Sequence, residues 1–149
     1  MRTFKVVIAA LSLVSVSLIS VESVSAATYV YVSNADDGDI GLYTLESDGT
    51  LKPGDKFDAG GKPVMPMSVS PDKKYLFAAV RAKPFTAVTY SIDRKSGKLK
   101  EVGRGPLAES FPYIWADKTG KFLLGASYGA NLVSVNPIGR DGRWASRCR

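Results

Sequence analysis

The sequence predicts an all-β fold, a β-propeller of four-stranded blades, of which residues 28–139 supply about two and a half. Three observations predict it. Apolar and polar residues alternate in short runs, without a sustained helical period. Each run is bounded by residues that favour tight reversal. The whole pattern returns after about 46 residues, a length that suits four short strands.

The elements follow in order. Thr28-Tyr29-Val30-Tyr31-Val32 alternates as a half-buried strand and stops at the turn Asp36-Asp37-Gly38-Asp39. Leu42-Tyr43-Thr44-Leu45 is the next strand, closed by Ser47-Asp48-Gly49. Pro66 to Val80, PMSVSPDKKYLFAAV, holds two strands around Ser70-Pro71-Asp72. Val88 to Ile92 belongs to the alternating TAVTYSI, with its turn at Ser96-Gly97. Pro112 to Ser127, PYIWADKTGKFLLGAS, repeats the Pro66 segment around Thr119-Gly120, and Leu132-Val133-Ser134-Val135 repeats the Val88 strand. Pro66 to Pro112 is 46 residues, Tyr75 to Phe122 is 47, and Tyr29 to Tyr75 is 46. The first copy therefore starts at its second strand. Its missing innermost or outermost strand is expected from a distant C-terminal segment, since propeller rings often close by pairing both chain ends in one blade.

Two end segments fall outside the repeat. Arg2 and Lys5 precede an uncharged apolar run from Val6 to Ile19, and small residues follow at Val24-Ser25-Ala26-Ala27. This is the pattern of a cleaved export signal over residues 1–27. The run is shorter than the ~20 residues that cross a bilayer, so no stable membrane insertion is expected after signal removal. The mature chain is expected in the periplasm or outside the cell. From Arg140 the text becomes RDGRWASRCR, read as an aberrant basic tail over 140–149, as a frameshift or early stop in a longer gene would leave.

Composition closes several functional classes. Among 149 residues there is no histidine and one cysteine, Cys148. Ser-His-Asp and Cys-His catalysis, a His-ligated metal and an internal disulfide are thereby excluded within this chain. No cofactor is expected. The net charge of +6 resides largely in the two ends, and basic residues between them stand singly beside acids, so no nucleic-acid partner is expected.

The stretches TYVYVSNADDGDIGLYTLESDGTLK, PMSVSPDKKYLFAAVR and GKFLLGASYGANLVSV resemble the seven-bladed propeller lactonase family. Its members include propeller-type 6-phosphogluconolactonases and carboxymuconate-lactonizing enzymes. The resemblance covers nearly all of residues 28–139 and implies an N-terminal fragment of a seven-bladed ring. It also implies hydrolysis of a sugar-acid lactone, such as 6-phosphogluconolactone, by a His, an Arg and a Glu in later blades. None of those positions exists here. The chain alone is expected to be inactive and to self-associate through its open blade edges. The alternative is an exported, non-catalytic propeller of the YVTN kind that binds or scaffolds.

Four residues are candidates for ligand contact, because propeller ligands meet the loops at one end of the central channel. Arg81 ends the YLFAAV strand, Tyr128 and Asn131 follow the matching strand one blade later, and Asn34 follows it one blade earlier. Arg81 could pair bidentately with a phosphate or carboxylate, so the expected ligand is a small anionic lactone or sugar acid. No catalytic and no metal residue is assigned. Ser70-Pro71-Asp72-Lys73 and Lys118-Thr119-Gly120 fit S-x-x-K and K-T-G, but they occupy the same turn of successive repeats and read as turns. Tyr113 and Trp115 read as core or channel lining.

Overall fold

The computed structural model describes residues 27–143. The export-signal reading for residues up to 26, and the tail beyond 143, lie outside the described residues. Ten strands and no helix are found among them: β1 Thr28–Asn34, β2 Asp39–Leu45, β3 Leu51–Asp58, β4 Val64–Val69, β5 Tyr75–Val80, β6 Thr86–Ile92, β7 Leu99–Pro106, β8 Tyr113–Ala116, β9 Phe122–Ser127 and β10 Leu132–Pro137. They form three antiparallel sheets, β1-β2-β3, β4-β5-β6-β7 and β8-β9-β10. The middle sheet is a complete four-stranded blade. The first lacks the strand equivalent to β4, and the third lacks the one equivalent to β7. The vacancy foreseen in the first copy is thus the innermost position.

Alternation decides which face each side chain covers. In β5, Leu76, Ala78 and Val80 turn toward the first blade, where they meet Ile40, Tyr31 and Phe57. Tyr75, Phe77 and Ala79 turn toward the third blade and meet Phe111, Ile114 and Leu123. Phe77, Phe111, Leu76 and Ile114 are fully enclosed. Each fully buried aromatic or aliphatic side chain of this kind contributes about 1.5–3 kcal/mol. A polar bond joins the inner strands, from the Ala116 amide to Ser68 Oγ at 2.9 Å. Arg104 bridges the outer strand of the second blade to the first connector, donating to Ala59 O at 2.9 Å while paired with Glu101.

The repeat extends further than its sequence suggests. Residues 140–143 were expected to belong to the basic tail. Together with Gly139 they close a turn like those before it, with Gly139 N donating to Arg143 O and Gly142 N to Gly139 O. The turn at 46–50 uses the same pair of bonds, Glu46 N to Thr50 O and Gly49 N to Glu46 O, and the turn at 93–98 is one residue longer. Gly49, Gly97 and Gly142 hold equivalent left-handed positions at φ +85°, +70° and +74°. Arginine-rich text hid a backbone pattern that only the glycine marks.

Candidate functional site

The strands run so that the loops 35–38, 59–63, 81–85, 107–112 and 128–131 gather at one end of the blades. Between the second and third blades these loops enclose a cleft of about 330 Å³, lined by Arg81, Glu109, Ser110, Ser127 and Tyr128 among others. Arg81 is held there at both its ends. Its backbone N–H donates to Pro63 O at 2.9 Å, and its side-chain Nε donates to Ser110 Oγ at 2.8 Å. The terminal guanidinium nitrogens make no hydrogen bond among the described residues, so two parallel donors remain for an anion. Glu109 accepts from the Ser110 amide at 2.8 Å, which orders the loop opposite Arg81. Tyr128 stands at the rim, 83% exposed.

The structure brings two of the four sequence candidates together, Arg81 and Tyr128. The other two serve hairpin turns. Asn34 donates its side-chain amide to Asp39 within the first blade. That bond is the leading cause that holds the Asp39 carboxyl below its ordinary range. Asn131 adopts φ +50°, the left-handed conformation that asparagine tolerates, at the tip between β9 and β10. Glu109, Ser110 and Ser127 were missed. The first two lie in the β7–β8 connector, LAESFP, which carries no periodic signal, and Ser127 is one residue before Tyr128.

A larger cleft, about 510 Å³, opens at the opposite end between the 70–74 and 117–121 turns. Its polar groups are engaged in the turns themselves. Ser70 Oγ donates to Asp72 and accepts from the amides of Lys74 and Tyr75. One blade later Asp117 accepts from the amides of Lys121 and Phe122, and Thr119 donates its hydroxyl to Asp117. Acid and hydroxyl have exchanged places in one cradle. Ser70 is therefore a turn residue and not a nucleophile. Tyr113 and Trp115 lie on the exposed side of β8, on the same face as Leu124 and Ala126.

Comparison with known proteins agrees with this architecture. The family model "Lactonase, 7-bladed beta-propeller" matches residues 23–148. The chain belongs to the seven-bladed β-propeller lactonase family. It is 42% identical over 113 residues to a 6-phosphogluconolactonase of Erwinia tasmaniensis, covering 76% of this chain and 33% of that protein. It is 41% identical over 106 residues to the 6-phosphogluconolactonase of Cronobacter sakazakii, covering 71% of this chain and 31% of that protein. The chain thus spans about a third of the length of these relatives. Among solved structures, a periplasmic gluconolactonase of Pseudomonas aeruginosa superposes with a TM-score of 0.73 at 22% identity, covering 79% of this chain and 35% of that one. At that identity the likeness concerns the fold.

Proposed function

We propose that this chain is the ligand-gripping third of an exported lactone hydrolase, and that it binds without turning over. The observation that carries the reading is the Arg81 cleft. A fixed guanidinium with unengaged donors faces a carboxylate, Glu109, and two hydroxyls, Ser110 and Ser127, across one small opening. A cation suits a phosphate or carboxylate, and a carboxylate with hydroxyls suits the hydroxyl groups of a sugar. A hydroxyl-rich anionic lactone satisfies both. Ring opening needs a general base or activated water and an oxyanion partner. The chain has no histidine to offer, and the family resemblance assigns the His, Arg and Glu of catalysis to later blades. The apolar N-terminal run supports export.

The test is a chimera in which residues 28–143 replace the matching third of the Erwinia relative. Hydrolysis of 6-phosphogluconolactone by this closed ring is expected. Arg81→Ala should raise its KM by about 10- to 150-fold, the equivalent of about 1.5–3 kcal/mol for a charge-assisted hydrogen bond. A KM that does not move would place Arg81 outside the ligand site. A folded chimera that binds sugar acids yet never opens a lactone would favour the non-catalytic reading.

A further inference from the structure

In the larger cleft, at the end of the blades opposite Arg81, the hydroxyls and carboxylates are taken up by the 70–74 and 117–121 turns, but three cations are not. Lys118, Lys121 and Arg140 line this cleft, and among the described residues none of their side chains makes a hydrogen bond or an ion pair.

Comparison between blades gives the reason. In the second blade Lys74 pairs with Asp72 at 3.4 Å. The matching residues of the third blade are Lys121 and Thr119, so the exchange of acid and hydroxyl leaves this lysine without its acid. The acid itself, Asp117, is occupied by the amides of Lys121 and Phe122. Lys118 stands where the second blade has Pro71, which adds a cation. Arg94 donates to Asp72 O at 2.5 Å, whereas Arg140, its equivalent 46 residues on, makes no such bond among the described residues. Asp72 also borders the cleft, but its carboxylate accepts from Ser70 Oγ and the Lys74 amide and pairs with the Lys74 ammonium, so the site keeps a net positive charge. Pro71, Tyr75 and Ile138 supply an apolar wall. The volume, about 510 Å³, is that of a small-molecule site.

We propose that this cleft is a second ligand site, which takes a small phosphate monoester. The phosphate, a near-dianion at neutral pH, sits on Lys118, Lys121 and Arg140, and the carbon body lies against Tyr75 and Ile138. All of the lining belongs to two adjacent blades that are both present, and the site does not depend on the lactone reading of the Arg81 cleft.

Calorimetric titration of the full-length chain with phenyl phosphate tests this. Arg81→Ala is carried in every protein, so that binding at the other cleft is not mistaken for binding here. Saturable one-to-one binding is expected. Inorganic phosphate should bind at least about tenfold more weakly, because it leaves the apolar wall unused. Lys121→Gln and Arg140→Gln should each weaken phenyl phosphate at least about fivefold, a value reduced from that of a buried pair by the exposure of these side chains. Lys98→Gln removes a lysine that pairs with Asp55 outside the cleft, and it should leave the affinity unchanged. The chimera carries the same cleft and should give the same affinity. Circular dichroism checks the folding of each variant. Absence of saturable binding in the Arg81→Ala proteins would overturn the proposal, as would an equal loss with Lys98→Gln. Capture by phosphatidic acid vesicles without any binding of phenyl phosphate would also overturn it, and would assign the three cations to a lipid surface.

Discussion

Single residues fix the blade geometry through the turn glycines and turn acids. Gly97 combines φ +70° with a tyrosine ring directly over its Cα, and that ring is anchored by the Tyr29 hydroxyl on Lys95 O. Gly97→Ala should cost about 2–4 kcal/mol, from backbone strain plus overpacking. Gly49→Ala has the strain without the ring and should cost about 1–2 kcal/mol. Urea midpoints of the two variants check the difference, and equal losses would show that Tyr29 yields freely. Lys73 sits at φ +56° where the next blade has Gly120 at +68°, so Lys73→Gly should stabilise by up to about 1 kcal/mol. A lower melting temperature would count against it.

The turn acids give a pH dependence at the same scale. The hydroxyl of Thr119, followed by the amides of Phe122, Thr119 and Lys121, holds the Asp117 carboxyl down to about 2. A depressed carboxylate stabilises the fold fully above its unfolded value, about 3.9, and that contribution fades as pH falls. Wild type should therefore exceed Asp117→Asn in melting temperature at pH 6, with the gap closing between pH 4 and 2. A gap that is constant with pH would mean that the charge contributes nothing.

Among the elements, the strands were legible because alternation and turn residues coincide. YLFAAV and TAVTYSI read correctly since a strand covered on both faces is apolar at every other position or throughout. The aligned aromatic positions Tyr29, Tyr75 and Phe122 set the repeat length. Three things were less legible. The missing inner position of the first blade could not be told from a missing outer one, because pairing leaves no trace in composition. The turn at 139–143 is carried by backbone bonds and one glycine, while its side chains look foreign. Glu109 and Ser110 reach the cleft through an irregular connector, whose position depends on the blades at either side. The position of Arg81 at the loop end of the blades was legible because it follows a strand whose direction the repeat defines. Asn34 and Asn131 share its end of the blades, but local turn bonds and a left-handed backbone account for them. Replacing Ser110 by Ala should loosen Arg81 without removing its charge. In the chimera, KM for a phosphorylated lactone should rise less than in Arg81→Ala and kcat should hold, and an effect on kcat alone would argue that Ser110 acts elsewhere.

For the molecule as a whole, the ring explains both the sequence and its exposed surfaces. Val133 is 70% and Val135 51% exposed, on a face where Ala87 and Thr89 of the preceding blade are covered. Several such side chains at about 1.5–3 kcal/mol each rival the 5–15 kcal/mol that a domain has in total. Closing the chimera's ring should therefore raise the denaturation midpoint well above that of the chain alone. On the reading proposed above, the same ring would divide the chemistry, with an anion grip in these blades and the reacting groups in others. The most direct measurement follows 6-phosphogluconolactone hydrolysis by the purified 149-residue chain beside the chimera, at equal concentration and against spontaneous opening. The chimera is expected to accelerate hydrolysis and the chain alone to match the spontaneous rate. Hydrolysis by the chain alone, abolished by Arg81→Ala, would contradict the division of labour on which this account rests.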